Sequence, residues 1–434
     1  MAAPTSQSVH AARAGTLTHA AGDGLMMHTL SCGMRVALER STAVRSVGIA
    51  WSLPVGSAGD PEGAAGEGES TLLSELITRG AGRMDSKAFS EALDRIGAQR
   101  SCGTTAYHTL ATMNVLGSRV EQALELVCAM VRDPRLDADA LEPARSLALQ
   151  SLASLADDPS HLVMLRLAGI ALPPPFNRTN FGHADGLKAL TIEGLRAAWT
   201  RRCVPGGAIL GIAGAVEPER IIDQLERRLS GWTGDYVEPA PTAQPARGVM
   251  HVPQQSAQTH IGLAIDAPHE CDPQSLVHRL AVKIIGGGMS SRLFTEVREK
   301  RGLCYSVGMS YAAGRDRGIS QVYAGSTPER AQRTLDCIRT ELSRASSGVS
   351  AEEFAGAIVG LKSRLVMQGE SSLARASAIA GDVFRIGRPR PLAEVAAEAD
   401  GISHAALNDH MAQAFSAERL STASLAVVGP AALA

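Results

Sequence analysis

Activation of water by a bound metal needs two histidines on one helix face with a carboxylate beside them. Neither His-x-x-Glu-His nor His-Glu-x-x-His occurs anywhere in the 434 residues. The histidines are dispersed instead. His251, His260, His269 and His278 recur every nine residues, which is two and a half helical turns, so successive members face opposite sides of a helix. An odd spacing flips faces in a strand as well. They read as surface or satisfied core histidines, and so do His404 and His410. The other chemically suggestive pair is Arg298 and Tyr305. Ser290 or Ser291 can cap a helix running to about Lys300, Gly302 supplies the stop, and Leu303 to Tyr311 reads as a strand. Arg298 then sits in the last helical turn and Tyr305 on the following strand, close enough to converge. The same positions also suit blander roles, a cation at a helix C-terminus and an aromatic packed on a sheet.

Other residue types offer less. The run Gly286-Gly287-Gly288 lacks the Gly-Lys-Ser/Thr ending of a phosphate loop and reads as a tight turn before a helix. Cys102 has no His/Asp arrangement around it in sequence. The seven cysteines, at 32, 102, 128, 203, 271, 304 and 337, are odd in number and include no Cys-x-x-Cys. A disulfide framework or cysteine zinc site is not expected, and a reducing, cytoplasmic setting is. Aromatics make up 3% of the chain and the net charge is −2, which removes both the stacking platforms and the whole-molecule attraction that nucleic-acid binding uses. No stretch reaches the roughly 20 apolar residues that span a bilayer. Residues 1–24 lack the apolar core of a secretory signal and read as a flexible arm or an added edge strand.

These residues must be positioned by elements, and the elements recur. The amphipathic run from Arg119 through Leu124 to Val131, followed by a long helical pattern to Leu155, returns as Arg330 through Leu335 to Leu342, followed by a run to Met367. Each half opens on strand-like alternation, Val47 to Leu53 and Thr259 to Ile265. Each closes on a short apolar strand ending in glycine, Ala208 to Gly214 and Ala423 to Gly429. A repeat of half the chain is one domain duplicated. Strands and long helices come in blocks, which favours an α+β class of antiparallel sheets backed by helices. The expected organisation is a domain at 25–232, a proline-bearing linker at 233–248 and a second domain at 249–434.

The most specific segment runs from Ile285 to Val307 and contains Gly-Gly-Gly-Met-Ser-Ser-Arg-Leu-Phe, then Val-Arg-Glu, Arg-Gly-Leu and Tyr-Ser-Val. With Gly97-Ala98, Asp157-Asp158-Pro159 and Ala189 to Leu195, it resembles the insulinase/pitrilysin family of zinc metallopeptidases over nearly the whole chain, from about Leu30. The size suits the branch that includes mitochondrial processing peptidase, in which two chains of this length pair. The resemblance implies two such domains forming one half of a clamshell. It also implies a metal site on the helix after Gly68, where His, Glu and His should stand. Counting back from Gly80 finds Thr71, Ser74 and Glu75 there, and an ungapped register from Gly56 finds Glu69, Leu72 and Leu73. The third ligand falls at Ser151. Hydroxyls and one carboxylate do not hold catalytic zinc, so no cofactor is expected in this chain. Arg298 and Tyr305 are similar to a family pair that reaches across the clamshell to the scissile carbonyl. The segment from Arg100 to Tyr107 is similar to an edge strand on which peptides add, with Ser101-Cys102 where Asn-Ala is usual. The resemblance therefore implies a non-catalytic, substrate-handling subunit that pairs with a homologous zinc-bearing His-x-x-Glu-His chain to cleave peptides. The alternative is a structural scaffold similar to the silent core proteins of the cytochrome bc complex.

Overall fold

The computed structural model describes residues 18–19, 24–64 and 66–434. Among these residues twelve strands follow in chain order: β1 (Thr18–His19), β2 (Leu25–Thr29), β3 (Arg35–Arg40), β4 (Ser46–Leu53), β5 (Gln99–Thr104), β6 (Thr109–Leu116), β7 (Ile209–Gly214), β8 (Val249–Pro253), β9 (Thr259–Ala267), β10 (Cys304–Ala313), β11 (Gly318–Ser326) and β12 (Ser424–Gly429). They form two sheets, ordered β1-β2-β3-β7-β4-β6-β5 and β10-β11-β9-β12-β8. The segment β3-β7-β4-β6-β5 is the second sheet over again, with β8, β12, β9, β11 and β10 in the matching places. The duplication read from helix spacing is thus a duplication of strand order.

The sheets are antiparallel except where β3 meets β7 and β8 meets β12, which are parallel pairs. The expectation of antiparallel sheets is corrected at these two pairs, where β7 inserts beside β3 and β12 beside β8. Most of the expected 1–24 arm lies outside the described residues. Thr18 and His19 pair antiparallel with Met27 and Met26 as an extra edge. Residues 233–248 carry no helix or strand between the Pro218–Arg228 helix and β8.

The expected long helices are Val120–Arg132 and Ala138–Ser154 in the first repeat, and Pro328–Ala345 and Ala351–Glu370 in the second. Each repeat folds its own core against one face of its own sheet. The larger one gathers Trp51, Leu72, Leu73, Phe89, Leu124 and Leu210, and the other gathers Leu263, Leu280, Ile285, Leu335 and Val427. The opposite faces are covered by exchange. The Pro159–Ala171 helix of the first repeat lays Val163, Leu167 and Ala171 on Ala264, Ile319, Ala426 and Val428 of the second sheet. The Ser372–Ile386 helix of the second repeat lays Ile379, Ala380 and Val383 on Leu25, Ala37 and Ile209 of the first. This is why β7 and β12 read as unbroken apolar runs: both of their faces are buried.

Candidate functional site

The Glu69–Leu76 helix starts where the Asp60 carboxylate collects the Gly68 and Ser70 amides, each at 3.0 Å, and the Ser70 hydroxyl at 3.1 Å. Arg202 closes the same knot, donating to Asp60 at 2.9 Å and to Glu69 at 2.6 Å. Leu72 and Leu73 point into the core. Glu69, Leu72 and Leu73, the ungapped alternative, are therefore spent on an ion pair and on packing.

Thr71, Ser74 and Glu75 are only partly buried and share the other side of the helix with Thr78. The Thr71 hydroxyl donates to the Asn180 carbonyl at 3.0 Å and that of Ser74 to the Thr71 carbonyl at 2.8 Å. Glu75 accepts from Arg79 at 2.7 Å. Ser151 stands on the Ala138–Ser154 helix, which packs against this one, and its carbonyl accepts the Ser154 hydroxyl at 2.8 Å. One paired carboxylate and three hydroxyls do not fit zinc. Among the described residues no group of three or more His, Cys, Asp or Glu side chains could hold a metal ion.

Beside the helix, β5 is an edge strand among the described residues, paired to β6. Ser74, Glu75 and Thr78 share with Cys102 a cavity of about 230 Å³ whose deeper wall is Phe89, Leu93, Met113 and Met130. Burial, with the Glu75 carboxylate adding to it, pushes the Cys102 thiol up to about 12. A thiol so far from ionisation is no nucleophile at neutral pH.

The Arg298–Tyr305 segment is built differently from expectation. The glycine run ends the Ser275–Gly286 helix in a turn. The Ser291 hydroxyl donates to the Gly288 carbonyl at 2.6 Å rather than accepting a helix amide, while its carbonyl takes the Thr295 amide at 3.0 Å and opens the helix. Beyond it the chain winds into a π-helical turn, Phe294–Glu299, in which the Lys300 amide reaches Thr295 at 2.9 Å. The helix expected to run to about Lys300 is present over residues 292–299, wound as a π-helix from Phe294, with Leu293 and Val297 both in the core. Gly302, at φ +57, then turns the chain back. The Gly302 amide bonds the Arg298 carbonyl at 3.1 Å, and the Leu303 amide bonds that of Val297 at 2.9 Å. Tyr305 then falls at a bulge. Cys304 faces Ser326 and Ser306 faces Gly325, so Tyr305 has no opposite number in β11. A bulge re-aims a side chain, and an inserted π-turn does the same on a helix.

The two side chains end up exposed, Tyr305 at 61%. Neither has a hydrogen-bond or ion-pair partner among the described residues, and the Arg298 guanidinium lies over the Phe294 ring at 4.7 Å. Nearby cations are already taken: Lys300 and Arg301 both bond Glu296, at 2.7 and 2.6 Å, and hold its carboxyl below the usual range. Arg292, which the sequence did not single out, grips Glu353 with two bonds of 2.6 and 2.8 Å. That fork pulls Glu353 down to about 2 and ties the π-turn to the capped start of the Ala351–Glu370 helix. The arrangement is a rigid base presenting one free guanidinium and one free phenol, both hydrogen-bond donors, to solvent.

The nine-residue histidine series falls on separate elements. His251 bonds the Gly429 carbonyl at 2.9 Å and His260 the Tyr323 hydroxyl at 2.9 Å. His278 and His410 are brought together in the core: His278 bonds His410 at 2.8 Å and Ser320 at 2.7 Å. Sequence reasoning missed this network. The signal was a histidine on the helix side that carries Ala281, Val282 and Ile285.

Residues 35–173 match the family model described as insulinase (peptidase family M16), and residues 189–361 match the peptidase M16 inactive domain. An uncharacterized zinc protease of Mycobacterium tuberculosis is 29% identical over 379 residues, 84% of each chain. The uncharacterized zinc protease YmxG of Bacillus subtilis is 23% identical over 420 residues, 93% of this chain and 98% of that protein. Among solved structures, a peptidase M16 inactive domain from Pseudomonas fluorescens superposes with a TM-score of 0.83 at 20% identity, covering 94% of this chain and 98% of that one. A chain of complex III2 from Candida albicans gives 0.79 at 17% identity, covering 93% and 95%.

Proposed function

The chain belongs to the insulinase family of peptidases, M16, as a member without the metal-binding motif, and from that premise we propose that it is the substrate-handling subunit of a heterodimeric, cytoplasmic zinc metallopeptidase that cleaves peptides. The observation that carries this reading is the contrast between two faces. The face that would hold metal is occupied by Thr71, Ser74 and an Arg79-paired Glu75. The segment carrying Arg298 and Tyr305 is braced by Arg292 and leaves both side chains free. A homologous partner with His-x-x-Glu-His would hold the zinc and supply hydrolysis. Arg298 and Tyr305 would donate hydrogen bonds to the oxyanion that develops when the scissile carbonyl becomes tetrahedral.

The test is co-expression with a His-x-x-Glu-His subunit encoded beside this one. Arg298→Ala and Tyr305→Phe should each lower kcat of the purified complex by about 10²–10³, the usual loss for one oxyanion donor, with zinc content unchanged. Wild-type turnover by both variants would defeat the reading. The scaffold alternative is favoured by the likeness to a chain of a respiratory complex; it predicts a stable complex that hydrolyses nothing with any such partner.

A further inference from the structure

The Ala351–Glu370 helix is apolar on two opposite sides. One side packs into its own repeat through Ala357 and Leu361, with Phe354 and Ile358 beside them. The other carries Ala355, Val359, Val366 and Met367, all exposed, the last three at 64%, 64% and 71%. At 3.6 residues per turn these four share one stripe. A helix that is apolar all round is ordinarily covered all round, so solvent on this stripe needs a cause. The matching helix of the first repeat, Ala138–Ser154, shows that the fold does not demand it. Counted from their caps, Asp137 and Ser350, the two helices bury corresponding residues, Ala144 with Ala357 and Ala148 with Leu361. Glu142, Ser146, Ala153 and Ser154 stand where Ala355, Val359, Val366 and Met367 do, and they offer no large apolar group.

We propose that this stripe docks an amphipathic helix of another polypeptide, one whose apolar face has a basic residue at each end. Val359 and Val366 lie seven residues apart on one line, the spacing at which anchors of a docked helix recur. Glu352 and Glu370 continue that line at its two ends, about 27 Å apart at the helical rise. Both are exposed, and neither has an ion-pair partner among the described residues. The helix's own cations do not answer them. Lys362 is held by Asp400, and Arg364 turns with Glu398 into the groove beside the Leu392–Asp400 helix. The acidic ends therefore call for basic ones. They also disfavour a second copy of this chain. Laid along its own counterpart in full overlap, parallel or antiparallel, the stripe sets Glu352 and Glu370 against the same two acids, and like charges so placed cost affinity. The helix starts at the Arg292–Glu353 fork, so an occupant rests on the element that braces Arg298. The surface itself does not depend on the peptidase reading.

The experiment uses two labelled synthetic helices with the same leucine stripe. One has lysines at the spacing of Glu352 and Glu370, and the other has glutamates in those places. Each is titrated by fluorescence anisotropy with the full chain, with Val359→Glu, and with the double variant Glu352→Lys, Glu370→Lys. The full chain should bind the lysine helix at least tenfold tighter than the glutamate helix. Val359→Glu should weaken the lysine helix at least tenfold, and the double variant should reverse the preference. All substituted positions are exposed, so melting temperatures should stay close to wild type. The proposal is overturned if the lysine helix does not bind, if the two helices bind equally, or if Val359→Glu leaves binding unchanged. It is also overturned if sedimentation shows the full chain self-associating and Val359→Glu dissolving that oligomer, since the stripe would then be covered by a second copy. Should Val359→Glu fail to fold, Val366→Glu decides by the same measures.

Discussion

Arg202 and Arg298 carry the same charge and do opposite work. Arg202 is 9% exposed, between Asp60 and Glu69, whereas Arg298 is out in solvent with only the Phe294 ring beneath it. Removing one partner of a buried pair strands the others, at about 3–5 kcal/mol. Arg202→Ala should therefore cost about that much in urea unfolding, while Tyr305→Phe should stay within about 0.5 kcal/mol. A large loss of stability in Tyr305→Phe would show that its phenol is structural. Two buried histidines give the pH dependence. Burial, with Arg35 adding to it, pushes His108 down to about 4, and burial with His410 pushes His278 down to about 3. Below about 6.5 the unfolded chain takes up protons that the fold refuses, so stability is lost as pH falls through that value. Between pH 6.5 and 5 each histidine should remove about 1–2 kcal/mol. That window lies above the carboxylates, whose losses begin lower. The urea midpoint should fall across it, and His108→Leu should flatten the fall.

At the scale of elements, glycine marks where backbones must touch. A Cβ on Gly211 in β7 would stand 2.1 Å from the Ala376 carbonyl and 2.9 Å from the Ala380 Cβ, both on the Ser372–Ile386 helix. Gly211→Ala should cost at least the 1–3 kcal/mol or so of an overpacked core. Gly103→Ala on β5, where a Cβ meets nothing within 4 Å, should be near neutral; both are read by thermal unfolding. Gly211 also shows how far the sequence was legible. Its unbroken apolar strand and that strand's repeat as β12 could be read from composition and spacing. What covered the second face could not, because the covering helix, Ser372–Ile386, comes from the other repeat. The site divides in the same way. That Thr71, Ser74 and Glu75 share one side of a helix could be read by counting along it. The π-turn under Arg298 and the bulge at Tyr305 could not, since both depart from the regular helix and strand periods against which spacing is read. Arg292 was invisible for a related reason. Its partner Glu353 is 61 residues away, and nothing local announces the fork.

The exchange of helices sets the behaviour of the whole molecule. Two domains that each completed their own core would unfold separately, with a linker between them. Here the first sheet depends on Ile379, Ala380 and Val383 from the second repeat, and the second sheet depends on Val163, Leu167 and Ala171 from the first. Cutting in residues 233–248, where there is no helix or strand, leaves each piece with one bare sheet face and one apolar helix that has nothing to lie on. Residues 25–232 made alone would expose Leu25, Ala37 and Ile209 across β2, β3 and β7, an apolar patch of the kind that drives association. The expected outcome is aggregation of each half made separately and a soluble one-to-one complex when the two halves are made together. The intact chain should show a single cooperative transition, with calorimetric and van't Hoff enthalpies in agreement. A soluble, cooperatively melting 25–232 fragment would mean that the exchanged helices are ornaments on two self-sufficient domains. If the interlock holds, it also supplies the stiffness that the Arg298–Tyr305 face requires. The hairpin that bears Tyr305 is then fixed through β11 and β9 to a sheet clamped from behind by the other repeat, and the chain can present that face to a partner as one body.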